Sequence, residues 1–199
     1  MTPPEQHSSP DRSPPRLGEG SGREGEGSSP DVRERARRVK LIAMDVDGTL
    51  TDAGMYYGEH GEELKKFNTR DAMGIALARE TGLLSAILTR EDTPIVTRRA
   101  GKMKIDEVHI GILDKLTVMR DIIARRGLTL EQVAYIGDDV NDYELLCHVG
   151  LAAAVRDAAR LPKAAAHYVT EAKGGEGAVR ELCELIMAAQ AEHPPLPEA

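Results

Sequence analysis

The sequence is short of aromatic residues, cysteines and long apolar stretches. Aromatic residues make up 3% of the 199 residues, with one phenylalanine and no tryptophan, so the core must be mostly aliphatic. Two cysteines cannot form a disulfide framework, and we expect Cys147 and Cys183 to be small core residues in a reducing compartment. No stretch approaches the about 18 apolar residues of a membrane span, and the first residues lack the apolar segment of a secretory signal. We therefore expect a cytoplasmic protein with no membrane partner.

The sequence also lacks an excess of basic charge. It contains 26 Lys and Arg residues against 33 Asp and Glu residues, which gives a formal net charge of −7. A nucleic-acid partner would favour a basic face, so we expect no such partner. The acidic excess is instead compatible with a pocket that holds a divalent cation.

Composition divides the chain into three parts. Residues 1–38 are rich in proline, glycine and serine and contain few large apolar side chains. Burial of so few apolar side chains cannot offset the entropy lost on ordering the segment, so we expect a disordered extension. Residues 39–190 contain the periodic apolar segments and form the one predicted domain, which is long enough to bury a core. Residues 191–199 contain three prolines and are expected to be a loose tail.

Within residues 39–190, short apolar strands alternate with helices through short loops. This order predicts an α/β fold, a doubly wound parallel Rossmann-like sheet without a separate cap domain. Strands are predicted at residues 39–45, 84–88, 108–110, 133–136, 151–155 and 168–169, and helices are predicted to begin at 71, 94, 114, 142 and 178. Segments 55–57 and 63–67 flank a glycine-containing turn and predict a small β-hairpin inserted after the first strand.

The most informative stretch is residues 41–49, an apolar run that ends in Asp45 and Asp47. Both faces of the run are apolar, which indicates a buried parallel strand, and open α/β sheets bind ligands at the carboxyl ends of such strands. Two like charges so close together are unfavourable unless a cation neutralises them. Gly48 and Thr49 follow and predict a turn whose backbone N–H groups can bind phosphate oxygens.

Polar side chains also follow three other predicted strands: Thr89, Lys115, and the acidic group Asp138, Asp139 and Asp142. The carboxyl ends of parallel strands face one crevice, so we expect these side chains to converge with the first acidic pair. Carboxylate oxygens suit Mg²⁺, while a lysine and a hydroxyl group suit phosphate oxygens. An aspartate can act as a nucleophile and form an aspartyl phosphate. The set therefore predicts Mg²⁺-dependent phosphoryl transfer.

These clusters resemble the motifs of the haloacid dehalogenase superfamily of phosphotransferases. Asp45-Val-Asp47-Gly-Thr matches its first motif, Thr89 the second, Lys115 the third, and Gly137-Asp138-Asp139-Val-Asn-Asp142 the fourth. The resemblance implies that Asp45 is the nucleophile and Asp47 the general acid/base, with Thr89 and Lys115 completing the catalytic set. It also implies that Mg²⁺ is bound by Asp45, the Asp47 carbonyl and Asp138.

Longer stretches resemble one group of this superfamily, the phosphatases of eight- and nine-carbon 2-keto sugar acids. These stretches are residues 61–71, 133–139 and 174–181, and the resemblance covers nearly all of residues 39–190. It implies a homotetramer in which a neighbour's hairpin covers each active site, since the gaps between the motifs are too short for a cap domain. We assign contacts with the sugar acid phosphate to Thr49, Lys66, Asn68, Arg70, Glu91, Lys102 and Arg180.

The loop at the second motif separates two candidate substrates. The branch that acts on 3-deoxy-manno-octulosonate 8-phosphate reads Thr-Gly-Arg there, whereas this chain reads Thr89-Arg90-Glu91. Glu91 and Lys102 match a glutamate and a lysine of the branch that acts on deaminoneuraminate 9-phosphate. We therefore favour deaminoneuraminate 9-phosphate, with octulosonate 8-phosphate as the alternative.

Two other classes of protein stay open as alternatives. A signalling receiver domain combines the same residue types, although its acidic pair and its phosphoacceptor lie on different strands, whereas Asp45 and Asp47 share one. A catalytically inactive oligomerisation module is the second alternative, and the complete set of motifs disfavours it.

Overall fold

A computed structural model describes residues 30–191 of the chain. Its centre is a six-stranded parallel sheet that consists of β1 (Leu41–Met44), β4 (Leu84–Leu88), β5 (Glu107–His109), β6 (Val133–Gly137), β7 (Leu151–Ala154) and β8 (Tyr168–Val169). The strand order across the sheet is β5-β4-β1-β6-β7-β8. The predicted parallel α/β sheet is confirmed, and β4 and β8 have the predicted bounds.

The central strand β1 is buried on both faces. Leu41 pairs in register with Leu84 of β4 and with Val133 of β6. Successive residues of a strand point to opposite faces, so Leu41 and Ala43 contribute to one core cluster while Ile42 and Met44 contribute to the other. This double burial explains why the sequence here is continuously apolar rather than alternating.

Helices cover both faces of the sheet, as a doubly wound fold requires. They are α1 (Pro30–Arg38), α2 (Thr69–Glu80), α3 (Pro94–Met103), α4 (Lys115–Arg126), α5 (Tyr143–Leu146), α6 (Arg160–Ala165) and α7 (Ala178–Ala191). Buried residues of α1, α2, α3 and α7 belong to one core cluster, and those of α4 and α5 to the other. None of the helices in residues 30–191 is both long and apolar enough to cross a membrane.

Helix α1 corrects the predicted boundary of the N-terminal extension. Residues 30–38 were predicted to be disordered, but they form a helix whose Val32 and Ala36 are buried in the core. These two residues lie four apart on one face of the helix, and that face packs against α7. Gln190 Nε2 fixes the junction by donating to the carbonyl oxygens of Ala36 (3.3 Å) and Val39 (2.8 Å). The predictions for residues 1–29 and 192–199 lie outside the described residues.

The predicted hairpin is confirmed and lies in a separate two-stranded sheet. Its strands are β2 (Tyr56–Gly58) and β3 (Gly61–Leu64), which pair antiparallel. Pairing continues to Gly58 and Gly61, so the turn is tighter than predicted, and Gly61 has the positive φ (113°) that a glycine tolerates. No cap domain interrupts the described part of the chain, since its strands are joined only by the hairpin, helices and short loops.

The region after β6 differs from the prediction in two ways. The helix predicted from residue 142 is a single turn, α5, and helix α6 was not predicted. Cys147 follows the end of α5 and is exposed, so its predicted core position is wrong, whereas Cys183 is buried in α7 as predicted. The sequence of α6 contains Pro162 and one large apolar residue, Leu161, so its apolar pattern is too weak to predict a helix.

Candidate active site

The predicted polar clusters converge at the carboxyl edge of the sheet. Asp45 follows β1, Thr89 follows β4, Asp138 follows β6, and Lys115 is the first residue of α4. Lys115 Nζ lies 2.9 Å from Asp45 Oδ1 and 2.6 Å from Asp142 Oδ1. The side chains of all three residues are buried, so these contacts lie in a region of low dielectric, where charge pairing is stronger than in water.

Tyr135 is part of this cluster and was not among the site residues predicted from the sequence. Its hydroxyl donates to Asp142 Oδ1 at 2.6 Å and accepts from Lys115 Nζ at 3.1 Å. Burial and the charges of Asp142 and Asp45 raise the pKa of Tyr135 well above its usual value, so the phenol remains a donor. The sequence did contain an indication of this contact: Tyr135 lies within an otherwise aliphatic buried strand, and a buried tyrosine hydroxyl needs a hydrogen-bond partner.

Asp45, Asp138 and Asp142 form an acidic group whose carboxylate oxygens lie within 4.8 Å of one another. Burial and the charge of Asp142 raise the pKa of Asp45 to about 7. Burial and the charges of Asp45 and Asp142 raise the pKa of Asp138 to about 8. A divalent cation would relieve this repulsion, and carboxylates are the ligands that suit Mg²⁺. The residues present therefore fit the predicted magnesium site.

The hydrogen bonds of Asp142 assign it a supporting position in this acidic group. Its Oδ1 is held by Lys115 and Tyr135, and its Oδ2 accepts from the backbone N–H groups of Asp138 (2.9 Å) and Asp139 (3.1 Å). Both of its oxygens are thus occupied by donors, which leaves Asp45 and Asp138 as the carboxylates available to a cation. These two are the predicted carboxylate ligands.

Asp47 lies beside the hairpin and not within the acidic group. Its Oδ1 accepts a hydrogen bond of 2.6 Å from Lys65 Nζ, while its Oδ2 is buried and has no partner among residues 30–191. Lys66 was the lysine predicted to contact the substrate, but its side chain is exposed and pairs with Asp52 at 2.9 Å. Neighbouring residues of an extended chain point to opposite sides, so only one of the two lysines faces the crevice, and the sequence did not indicate which.

A close approach of two loops fixes the turn after β1. Gly48 has φ 83°, and a Cβ there would lie 2.0 Å from Asp138 Oδ2. A Cβ on Gly174 would lie 1.7 Å from the Gly48 carbonyl oxygen, and Gly175 N donates to the Thr49 carbonyl oxygen at 3.0 Å. Glycine is therefore required where the 174–175 loop packs on the turn. The Thr49 side chain is buried and donates to Asp138 Oδ1 at 3.4 Å, so it faces the acidic group.

The remaining predicted substrate residues lie at the start of α2 and in the first turn of α7. Asn68 caps α2 through Arg70 N and donates to the Gly175 carbonyl oxygen at 3.1 Å. Arg70 and Arg180 line a common open cleft, in which Arg180 Nε donates to Glu184 Oε1 at 2.6 Å. Their substrate contacts stay predictions, as does the contact of Lys66.

Helix α3 separates the two residues that were predicted to select the substrate. Glu91 lies before the N-cap Thr93, on the loop that follows Thr89, whereas Lys102 lies in the last turn of the helix. Both are exposed. The structure therefore does not bring Glu91 and Lys102 together within one chain.

The chain is similar to known phosphatases along most of its length. A model of the haloacid dehalogenase-like hydrolase family matches residues 80–182. The 3-deoxy-D-manno-octulosonate 8-phosphate phosphatase of Yersinia pestis is 44% identical over 160 residues, which are 80% of this chain and 86% of that protein. The corresponding phosphatase of Escherichia coli K12 is 41% identical over 162 residues, 81% of this chain and 86% of that protein.

Solved structures of such phosphatases have the same fold. The phosphatase from Moraxella catarrhalis, solved with a magnesium ion, a phosphate ion and KDO, superposes with a TM-score of 0.79 at 36% identity, over 81% of this chain and 93% of that one. A cobalt-bound structure from Haemophilus influenzae gives a TM-score of 0.77 at 37% identity, over 79% of this chain and 92% of that one.

Proposed function

Because the chain belongs to the haloacid dehalogenase-like hydrolases, we propose that it is a Mg²⁺-dependent phosphatase that hydrolyses a 2-keto sugar acid phosphate through an aspartyl phosphate. The observation that carries the proposal is the buried Lys115–Asp45 contact of 2.9 Å, next to two more carboxylates at the carboxyl edge of the sheet. Membership in this family makes the receiver-domain alternative wrong. The complete motif set, now assembled in one site, further disfavours an inactive oligomerisation module.

In the proposed first step, a carboxylate oxygen of Asp45 attacks the phosphorus. The bond between phosphorus and the sugar oxygen breaks, and Asp47 gives its proton to that leaving oxygen. The ammonium of Lys115 neutralises charge beside Asp45. Thr89 Oγ1 accepts from Glu91 N at 3.2 Å, which leaves the hydroxyl proton free to bind a phosphate oxygen.

In the second step, water attacks the phosphorus of the aspartyl phosphate, and Asp47 takes the proton of that water. The acyl phosphate bond breaks, which releases inorganic phosphate and restores the carboxylate of Asp45. Asp45, Asp138 and the Asp47 carbonyl would hold Mg²⁺, which supplies positive charge for the phosphate oxygens when bound.

We expect Asp47→Asn to lower kcat by roughly 10²–10⁴-fold, the usual contribution of a general acid/base. The amide cannot donate a carboxylic proton, but the backbone carbonyl stays in place, so Mg²⁺ affinity is largely kept. The measurement is steady-state phosphate release, with Mg²⁺ titration by calorimetry as the control for the site. Equal rates for the variant and the parent would assign the acid/base step to another group.

Activity is expected to require Mg²⁺ and to disappear in excess chelator. We expect Ca²⁺ to inhibit, because its larger and more variable coordination shell disturbs in-line attack. Phosphate release should return when Mg²⁺ is added back. Full activity in chelator would show that the acidic group does not serve as a catalytic cation site.

The raised pKa values of Asp45 (about 7) and Asp138 (about 8) also predict how pH affects the metal-free protein. The folded state binds protons on these groups that the unfolded state has already released above pH about 5, so stability falls as pH rises through 7 and 8. The melting temperature in chelator should therefore fall between pH 6 and pH 9, and Mg²⁺ should raise it most at the higher pH. Asp138→Asn is the matched control and should flatten this dependence. If Mg²⁺ raised the melting temperature equally at all pH values, the assignment of Asp45 and Asp138 as the cation ligands would be contradicted.

For the substrate, we propose 3-deoxy-D-manno-octulosonate 8-phosphate first, since the relatives from Yersinia pestis and Moraxella catarrhalis are named for it. Deaminoneuraminate 9-phosphate, which the sequence favoured, stays as the second candidate. Its support is Glu91, which is exposed two residues after Thr89 at the carboxyl edge, although Lys102 lies at the far end of α3.

Parallel measurement of kcat/KM on both sugar acid phosphates tests this choice. A preference of tenfold or more for octulosonate 8-phosphate supports the first proposal, and the reverse preference selects the second. If Glu91 recognises the nine-carbon substrate, Glu91→Ala should lower kcat/KM for that ester more than for a small generic phosphate ester. Failure to hydrolyse either sugar acid phosphate while hydrolysing generic esters would overturn the sugar-acid assignment.

We also propose a homotetramer in which a neighbour's hairpin covers each crevice. The hairpin leaves Tyr57 67% and Leu64 64% exposed in the single chain, and an isolated two-stranded hairpin is only marginally stable in water. Sedimentation equilibrium tests the proposal, and a fully active monomer would contradict it. A cytoplasmic location and the absence of a nucleic-acid partner stay predictions.

A further inference from the structure

The hairpin contributes a buried lysine to which the mechanism above assigns no part. Lys65 follows β3, and its side chain has no exposed surface. Its Nζ donates to Asp47 Oδ1 at 2.6 Å and forms an ion pair with Glu62 Oε1 at 2.7 Å. Glu62 lies on β3, so a residue of the hairpin holds the lysine from one side and the proposed acid/base holds it from the other.

We propose that Lys65 is a positioning residue for the general acid/base: it fixes Asp47 Oδ1 and so makes Oδ2 the oxygen that carries the catalytic proton. The proposal rests on the proposed phosphatase function. The role of Lys65 goes beyond that function, because neither the sequence motifs nor the names of the relatives give this residue a part in catalysis.

The donors of the Lys65 ammonium group determine which oxygen of Asp47 accepts the hydrogen bond. Lys65 Nζ has three N–H donors and no acceptor, so the oxygen at 2.6 Å must present a lone pair to it. Asp47 Oδ1 is therefore the accepting oxygen. A proton on this carboxyl group must sit on Oδ2, which is buried and has no partner among residues 30–191. The lysine thus distinguishes two oxygens that would otherwise exchange by rotation of the carboxyl group.

Glu62 explains how a cation can lie beside a group that must also act as an acid. Its carboxylate is 2.7 Å from Nζ and offsets the charge of the ammonium, so the pair acts on Asp47 mainly through a directed hydrogen bond. Because the Lys65 side chain is fully covered, its rotamer is fixed by packing, and a fixed donor positions its acceptor more closely than a mobile surface lysine does.

The test compares Lys65→Met, which keeps the length and removes the donors, with Lys65→Arg, which keeps a cationic donor. Lys40→Met is the matched control, because Lys40 is exposed and precedes β1 at the opposite edge of the sheet. Each variant is assayed on two esters. One is the preferred sugar acid phosphate, whose leaving group is an alkoxide, and the other is p-nitrophenyl phosphate. The nitrophenolate leaves without protonation, so the first step on that ester does not need the proton of Asp47. The parameter compared is kcat/KM, because it reports the first step and not the second, in which Asp47 acts on the water for both esters.

We expect Lys65→Met to lower kcat/KM on the sugar acid phosphate by about 10–100-fold, part of the contribution of a general acid, and kcat/KM on p-nitrophenyl phosphate by no more than about threefold. Lys65→Arg should restore much of the loss, and Lys40→Met should match the parent. An equal loss on both esters, or an arginine variant no better than the methionine variant, would overturn the proposal.

A double variant keeps the proposal testable if Lys65→Met also loosens the hairpin. When Lys65 acts through Asp47, adding Lys65→Met to Asp47→Asn should leave kcat unchanged within about twofold, because residues that act as a unit are not additive. A full further loss in the double variant would show that Lys65 acts elsewhere. Failure of the phosphatase proposal is distinguishable, since the parent would then release no phosphate from the sugar acid ester.

Discussion

Asp45→Asn is expected to lower phosphate release by roughly 10⁴-fold or more, the order of loss that follows removal of an enzyme's nucleophile. The amide oxygen carries no negative charge and attacks phosphorus poorly. The change also removes one of the two carboxylates that remain available to a cation, since both oxygens of Asp142 are occupied by donors. Rate and Mg²⁺ affinity should therefore fall together.

The fold of the Asp45→Asn variant should be intact. In the metal-free parent, burial and the charge of Asp142 make an ionised Asp45 unfavourable, so an uncharged side chain at this position relieves repulsion. Lys115 is not left uncompensated in this variant, because it keeps Asp142 as its partner at 2.6 Å. Thermal melting in chelator should show a variant at least as stable as the parent at pH 8. A folded variant with near-normal turnover would remove Asp45 from the mechanism.

Lys115→Met is expected to impair both stability and rate. Lys115 is 3% exposed and is the cation between Asp45 and Asp142, at 2.9 and 2.6 Å. Breaking a buried ion pair by removing one partner costs about 3–5 kcal/mol, because the other charge is left uncompensated. Here two carboxylates lose their cation, so the free energy of unfolding should fall by at least the lower value of that range.

Denaturant unfolding in chelator measures the stability of Lys115→Met, and phosphate release in saturating Mg²⁺ measures its rate. Lys40→Met is the control for the substitution itself and should change the free energy of unfolding by less than about 0.5 kcal/mol, as exposed positions usually do. A Lys115→Met variant as stable as this control would contradict the buried network, and unchanged turnover would exclude Lys115 from the catalytic set.

The convergence of polar residues at the carboxyl edge of the sheet could be predicted from the sequence because the two signals there are local. A continuously apolar strand that ends in polar residues reports both burial and position, and each of the predicted catalytic residues lies at a strand end or helix start on that edge. The chain order of these residues then sufficed to place them together, since parallel strands share one carboxyl edge. For this reason the sheet and the convergence of Asp45, Lys115 and Asp138 could be predicted from the sequence.

The features that were missed depend on contacts between distant segments. Val32 and Ala36 form a narrow apolar stripe within a charged helix. The packing of this stripe against the distant helix α7 is not visible in the composition, which therefore suggested disorder. The choice between Lys65 and Lys66 depends on the register of the hairpin end relative to the turn after β1. Asp71 accepts from Arg180 N at 2.9 Å across two helices, a contact that no local pattern predicts.

The stereochemical course at phosphorus tests the central claim, an aspartyl phosphate on this chain, most directly. The substrate is a sugar acid thiophosphate that is chiral at phosphorus, because its three non-bridging atoms are sulfur and two different oxygen isotopes. It is hydrolysed in water that carries the third oxygen isotope, and the configuration of the released thiophosphate is determined. Each in-line displacement inverts phosphorus, so attack by Asp45 followed by attack by water predicts net retention. Net inversion would mean that water attacks the substrate in a single step, and would contradict the account.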